Sequence, residues 1–142
     1  MIVEFDRSLH LSRNFQLFEM VVSEAHPSAL RSVILTESQI LKLYYLCQFG
    51  LQKIRDVFGY TKITSGYRTL ALNKLVNGSD TSQHLECEAA DFVCVEANLE
   101  MVFRFIREEL KWTGQCFHYK HHGFIHLALP RPGVAGIFKT IE

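Results

Sequence analysis

The chain lacks the features that mark nucleic-acid-binding, membrane-spanning and disulfide-rich proteins. Its 15 lysines and arginines are balanced by 15 aspartates and glutamates, which gives no electrostatic case for nucleic acid as a partner. Its four cysteines form no C-x-x-C pair and no regular framework, so we expect a reduced, intracellular chain. No segment approaches the ~20 apolar residues that span a bilayer, and no apolar run of signal-peptide length lies near Met1. We therefore expect a protein that is made in the cytoplasm and has no membrane span.

Proline is also scarce, with three residues, and no low-complexity linker or internal repeat divides the chain. The composition, 48% apolar and 21% charged, is that of an ordinary globular protein. A chain of 142 residues is long enough to bury a core without metal or disulfide support. We predict a single domain over residues 1–142.

Helical and strand patterns alternate along the chain. The clearest helix is predicted over 36–58, where Thr36 and Gln39 form a capping box and Gly59 suits the stop. Further helices are predicted around 15–25, 69–76 and 98–110, and strands over 88–95, 112–119 and 124–129. This order of elements predicts an α+β domain with a small, mostly antiparallel sheet packed with helices.

Two histidines and an aspartate stand out as candidate metal ligands. His84 follows a turn-rich segment, and Asp91 lies in an apolar strand where burial would be costly without a partner. A metal, a helix N-terminus or an arginine could be that partner, and a structurally paired aspartate is the commoner outcome. In the last strand Ile125 and Leu127 alternate with His126, which turns His126 away from the core if the apolar pair packs inside. Two imidazoles and one carboxylate leave a fourth position open on a catalytic zinc ion.

Five ordered blocks resemble the M15 family of zinc D-Ala-D-Ala carboxypeptidases and peptidoglycan endopeptidases, which includes phage endolysins. The blocks are Ser65-Gly66-Tyr67-Arg68-Thr69 with Leu72-Asn73, Val76-Asn77-Gly78-Ser79, Ser82-Gln83-His84, Ala89-Ala90-Asp91 and Phe124-Ile125-His126. The resemblance covers a motif-bearing core from about residue 60 to 129, with a looser similarity at Phe15, Glu19 and Ser23. It implies the small α+β fold that hedgehog signalling domains share with these D-Ala-D-Ala peptidases.

The resemblance also implies the roles of individual residues. The implied zinc ligands are His84, Asp91 and His126. Arg68 would lie next to the substrate, where its guanidinium suits a carboxylate, and Ser82 and Gln83 would lie beside the first ligand. From the residues alone, a structural ion pair between Arg68 and a buried acid is an equal alternative. The implied function is hydrolysis of peptidoglycan stem peptides, at the cell wall by a phage-type lysis enzyme that another protein releases, or on cytoplasmic muropeptides.

The general base of such an enzyme has no clear counterpart in this sequence. A zinc peptidase usually takes a proton from metal-bound water with a carboxylate, whereas the corresponding positions are Gly123, Ala128 and the acid-free segment 115–119. His118 is the best surviving candidate, because an imidazole can move protons near neutral pH. The poorer candidates are Tyr119, His121 and His122. For all of these histidines, a place on the surface or in a hairpin without a catalytic role is the alternative.

Cys87 stands where the family commonly has glycine, and a tolerated small residue is the simplest interpretation. As a thiolate near His84 it could instead take the fourth position on zinc. The chain would then be a catalytically silent zinc-containing domain that binds cell-wall peptide or a protein partner. In a third alternative there is no metal, and His84 and Asp91 only hydrogen-bond. Glu88 is a weak base candidate, because in a strand it points to the face opposite Asp91.

Overall fold

The computed structural model describes residues 6–31 and 33–142, which form helices packed on a five-stranded sheet. The strands of this sheet, in spatial order, are β3 (Thr61–Ser65), β4 (Ala89–Cys94), β6 (Phe124–Ala128), β5 (Cys116–Tyr119) and β7 (Phe138–Ile141). Neighbouring strands are antiparallel except β5 and β7, which are parallel. A separate antiparallel pair joins β1 (His10–Ser12) to β2 (Phe15–Gln16). The predicted α+β class with a mostly antiparallel sheet is confirmed.

The helices lie largely where the apolar periodicity predicts them. They are α1 (Leu17–Met20), α2 (Glu37–Leu46), α3 (Gln52–Phe58), α4 (Leu70–Leu75) and α5 (Leu99–Glu108). A π-helical turn, Cys47–Leu51, joins α2 to α3, and a 3-10 helix spans Gln83–Glu86. Within the described residues, no helix is long and apolar enough to cross a membrane.

The helix predicted over 36–58 is confirmed, with the π-helical turn in its middle. Thr36 and Gln39 form the expected capping box, and Gly59 ends the helix with a φ of 83°. Gly50 lies within the π-helical turn, where a Cβ would come within 2.9 Å of the Leu127 side chain and 3.2 Å of the Trp112 ring. Glycine at this position therefore lets the helix backbone approach the sheet closely.

The helix predicted around 15–25 is wrong in this form. Only one helical turn, α1, is present, and the chain then runs beside the end of β3, where the Glu24 amide donates to the Thr64 carbonyl at 3.1 Å and the Tyr67 amide to the Met20 carbonyl at 2.8 Å. Phe15 is buried in β2, whereas Phe18, in α1, is 50% exposed. The helical spacing of Phe15, Phe18 and Val22 therefore falls across different elements and forms no single buried face.

The two faces of the sheet differ in character. The first face packs against α5 and carries Phe92, Ile125 and Leu127, which are fully buried in the hydrophobic core. The second face carries Asp91 and His126, which lie directly opposite each other on β4 and β6. The predicted alternation in β6 is confirmed, and it places His126 on the face away from the main core.

Candidate metal centre and cleft

His84 is held by the turn that contains the Ser65–Arg68 motif. The His84 amide donates to the Ser82 hydroxyl at 3.2 Å, and its carbonyl accepts from the Arg68 amide at 3.0 Å. The ring Nδ1 lies 2.7 Å from the Gly66 carbonyl oxygen. A Cβ at Gly66 would come within 2.0 Å of the Met20 carbonyl oxygen, so only glycine lets this turn approach both segments. The motif therefore fixes the position and the rotation of the imidazole.

Asp91 and His126 complete a group of three side chains. The Asp91 Oδ1 atom lies 3.2 Å from His84 Nε2 and 2.8 Å from His126 Nδ1. The ligand atoms of the three residues lie within 4.8 Å of one another, and they form the single such group of His, Cys, Asp and Glu side chains found within the described residues. The structure thus brings together the three side chains that the sequence analysis assigned to a metal.

The hydrogen-bonding chemistry of this group calls for a positive charge at its centre. His84 Nδ1 must carry its hydrogen to donate to the Gly66 carbonyl, so a neutral His84 presents a bare Nε2 lone pair. That lone pair faces the Asp91 carboxylate oxygen at 3.2 Å, and two acceptors in contact repel each other. Either a proton on Nε2 or a metal cation between the atoms removes the conflict. The donor set therefore fits a metal ion that accepts imidazole and carboxylate ligands.

The charge state of Asp91 also suits a metal ligand. Burial would raise the pKa of Asp91, but the charge of His84 and hydrogen bonds from His126 and His84 outweigh it and hold the pKa well below its usual value. Asp91 is therefore a carboxylate at neutral pH, the form that binds metal ions.

Arg68 combines both roles that the sequence left open for it. Its Nη2 lies 3.4 Å from Asp91 Oδ2, its Nη1 3.4 Å from Asn73 Oδ1 and its Nε 3.3 Å from the Ser65 hydroxyl. A Cβ at Gly78 would lie 2.0 Å from Asn73 Oδ1, so that glycine keeps room for the contact. Arg68 is thus paired with a buried acid and also lines the cleft beside the metal-ligand group.

A cleft of about 380 Å³ opens over the three candidate ligands. Its other lining residues are Arg68, Val76, Asn77, Gly78, Ser79, Ser82, Gln83, Gln115, Phe117, Tyr119 and Phe124. Ser82 caps the 3-10 helix, and the side-chain nitrogen Nε2 of Gln83 donates to the Leu129 carbonyl at 2.9 Å. Among these described lining residues, Asp91 is the only acid, so the cleft contains no second carboxylate to act as a base.

The family model for peptidase M15 matches residues 13–128. The chain belongs to the peptidase M15 family. The match covers all five sequence blocks, so the predicted family is confirmed. No curated protein matches the chain.

The M15 fold of this chain places His118 away from the cleft. His118 pairs with Ile125 in the β5–β6 register, and both side chains lie on the core face of the sheet. The His118 ring lies 5.8 Å from the Phe103 ring and is 5% exposed. The structure therefore does not bring His118 to the candidate metal centre, contrary to the sequence-based prediction. The hairpin register decides this, and it instead brings Phe117 and Tyr119 to the cleft.

The two remaining histidine candidates also lie outside the M15 cleft. His121 and His122 lie in the exposed turn between β5 and β6, and neither lines the cavity. Their position therefore agrees with the alternative given in the sequence analysis, in which these histidines lie in a hairpin.

Glu88 is used by the fold. Its carboxylate accepts from Lys42 Nζ at 2.9 Å, Arg131 Nε at 2.8 Å and Gln83 Nε2 at 3.1 Å. Burial would raise the pKa of Glu88, but these hydrogen bonds and the Lys42 charge lower it. Glu88 does not line the cleft, which agrees with its prediction as a weak base candidate.

Cys87 lies in the core, outside the group of converging ligand atoms. It ends the 3-10 helix with a φ of 58°, a left-handed conformation that favours glycine. This conformation gives a physical reason for the glycine that the family commonly has there. Burial raises the pKa of the Cys87 thiol to about 12, so the residue is a protonated core thiol at neutral pH.

Proposed function

We propose that this chain is a zinc metallopeptidase that hydrolyses peptide bonds in peptidoglycan stem peptides. The observation that carries the proposal is the convergence of His84, Asp91 and His126 at the floor of a cleft lined by Arg68. Membership of a peptidase family supports the hydrolytic reaction. A cleft of about 380 Å³ suits one or two residues of a substrate rather than a folded protein.

In this proposal the three side chains hold the ion with His84 Nε2, His126 Nδ1 and a carboxylate oxygen of Asp91. Bound zinc supplies a Lewis acid that polarises a carbonyl group and lowers the pKa of water to about 7. The Gly66 carbonyl keeps the proton of His84 on Nδ1, so Nε2 is free to bind. Arg68 contacts Asp91 Oδ2 at 3.4 Å, whereas both imidazoles approach Oδ1. Arg68 therefore orients the carboxylate and leaves Oδ1 for the ion.

Arg68, Ser82 and Gln83 bind the substrate in this proposal. A guanidinium has five N–H groups, and three of the Arg68 nitrogens each make one long contact of 3.3 or 3.4 Å with the protein. Its remaining N–H groups are available to a carboxylate or carbonyl of a stem peptide. The bond cleaved would lie at or next to D-alanine, in the cell wall or in cytoplasmic muropeptides.

A second candidate function is a catalytically silent zinc-containing domain that binds cell-wall peptide. The observation that favours it is the absence of a second carboxylate among the described residues that line the cleft. The two candidates share the metal and the ligand and differ in turnover.

The experiment uses the zinc-reconstituted protein with purified peptidoglycan and with a synthetic stem pentapeptide that ends in D-Ala-D-Ala. We expect mass spectrometry to show released D-alanine or a shortened peptide, and no cleavage of an all-L peptide of equal length. His84→Ala is the matched control and should lose both zinc and turnover. Zinc binding and pentapeptide binding without cleavage would favour the silent domain, and a wild-type chain that binds no zinc would contradict both candidates.

A further inference from the structure

The hydroxyl group of Tyr119 is an uncommitted polar group on the wall of the cleft. Tyr119 lines the cavity together with the three candidate ligands, and it is half-buried. Among the described residues, none makes a hydrogen bond with its hydroxyl. The other polar groups nearby are used differently, since Arg68, Ser82 and Gln83 each hydrogen-bond to the protein. Tyr119 therefore retains its full hydrogen-bonding capacity for a ligand.

The ring of Tyr119 is held firmly in place. It stacks on Phe124 with ring centroids 4.7 Å apart and an angle of 16° between the planes, and it meets Phe117 edge-on at 6.4 Å. Tyr119 also lies in β5, which pairs with strands on both sides. A group on such a supported strand is positioned more accurately than one on a loop.

The electrostatic surroundings make Tyr119 a hydrogen-bond donor. Burial raises its pKa above the ordinary value of 10, the charge of Asp91 raises it further and the charge of Arg68 lowers it. Tyr119 lines the same cavity as the metal-ligand group and Arg68. A phenol that keeps its proton at neutral pH is unsuited to act as a base, but it can donate to an oxygen that gains negative charge.

We propose that Tyr119 is a catalytic residue that donates a hydrogen bond to the carbonyl oxygen of the scissile peptide as that oxygen becomes an oxyanion. This inference rests on the proposed peptidase function. When the water oxygen bonds to the carbonyl carbon, the electron pair of the C=O bond moves to the carbonyl oxygen, which the phenol then stabilises without giving up its proton. The pair returns as the C–N bond breaks. Both protons of the water end on the departing amine, and the acyl product is a carboxylate.

The test is Tyr119→Phe, which removes the hydroxyl and keeps the stacked ring. The matched control is Tyr45→Phe, which removes a hydroxyl from an exposed tyrosine on α2. We expect Tyr119→Phe to keep its Tm and one zinc per chain but to lose about 100-fold in kcat, because one oxyanion donor is worth about 100- to 1000-fold. The KM should change by less than about threefold, because the contact forms only in the transition state. Tyr45→Phe should match the wild type.

A second measurement does not depend on turnover. A phosphinate analogue of the stem peptide carries a tetrahedral oxyanion, and calorimetry should show that Tyr119→Phe weakens its binding by about 100-fold while binding of the cleaved product is unchanged. If the wild type cleaves peptides and Tyr119→Phe retains its kcat and phosphinate affinity, this inference alone is overturned. An equal loss in product and phosphinate binding would also overturn it, by showing ground-state binding. A zinc-loaded wild type that cleaves nothing would overturn the proposed function and this inference together.

Discussion

The two faces of the five-stranded sheet each carry one buried histidine, and the two residues differ in what surrounds them. His118 on β5 is 5% exposed and His126 on β6 is 9% exposed, so burial alone does not separate them. His118 packs against Phe103 on the core face, whereas His126 contacts Asp91 at 2.8 Å on the cleft face. A buried histidine acquires chemistry from a charged partner and from access to a cleft, and within the described part of the chain His118 has neither of these.

The carboxylates of Glu88, just before β4, and Asp91, in β4, also differ in what surrounds them. Glu88 is bound by Lys42 and Arg131, which carry permanent charges at neutral pH, so its own charge is already balanced. Among the residues 6–31 and 33–142, Asp91 is paired with one arginine, Arg68, at 3.4 Å, and also contacts two imidazoles. An imidazole can offer a nitrogen lone pair to a metal ion, whereas the charged side chains of lysine and arginine have no acceptor to offer. This difference in partners separates the candidate metal site at Asp91 from the structural ion cluster at Glu88.

The largest expected effect comes from removing the cleft-face histidine. His126→Ala should weaken zinc binding by more than about 100-fold, because even a lost second-shell partner costs about 10- to 100-fold. Metal analysis after dialysis should find about one zinc per chain in the wild type and almost none in the variant. Full zinc content in His126→Ala would contradict the placement of the metal centre on the cleft face.

The corresponding change on the core face should affect stability instead. His118→Ala leaves a cavity against Phe103 and should lower the free energy of unfolding by about 2–3 kcal/mol, while zinc content stays at about one per chain. Urea denaturation and metal analysis of the same sample measure both quantities. Loss of zinc from a folded His118→Ala protein would show that His118 does act at the metal centre.

The smallest expected effect concerns Glu88 and depends on pH. The folded-state pKa of Glu88 lies below the ordinary value of 4.5, so its ionised form stabilises the fold above that pH. This stability is lost as the pH falls through the lower folded-state value. Glu88→Gln should therefore cost about 1–2 kcal/mol at pH 7, since the two cations are about one-third exposed. The difference from the wild type should shrink toward zero near pH 3.

Urea denaturation at pH 7 and pH 3 measures this difference directly. Glu109→Gln, at an exposed position after α5, is the control and should change stability little at either pH. A Glu88→Gln penalty that is constant across this pH range would show that the Glu88 charge contributes nothing to the fold.

The sequence predicted the parts of the molecule that depend on local patterns. The capping box at Thr36 and the alternation around His126 each carry their signal within a few residues, and the structure has the predicted helix and strand there. The motif blocks are equally local, and the family model confirms the family that they indicate. The position of His118 depends on the register of a hairpin, which no residue of β5 encodes alone. The spacing of Phe15, Phe18 and Val22 imitated a helix, although Phe15 lies in a strand and Phe18 is exposed.

The edge strands were missed for a related reason. β3 has the sequence Thr61-Lys62-Ile63-Thr64-Ser65 and β7 has Phe138-Lys139-Thr140-Ile141. Both are short and at least half polar, so their apolar pattern is too weak to predict a strand, and pairing with β4 and β5 defines them.

Zinc K-edge X-ray absorption of the zinc-loaded protein identifies the atoms bound to the ion and therefore tests His84, Asp91 and His126 as its ligands. We predict nitrogen and oxygen ligands at about 2.0–2.2 Å, including two imidazoles, and a spectrum that Cys87→Ala leaves unchanged. A sulfur ligand at about 2.3 Å that disappears in Cys87→Ala would contradict this account and make the site a closed structural one. A protein that retains no zinc after reconstitution would contradict the proposed metal centre itself.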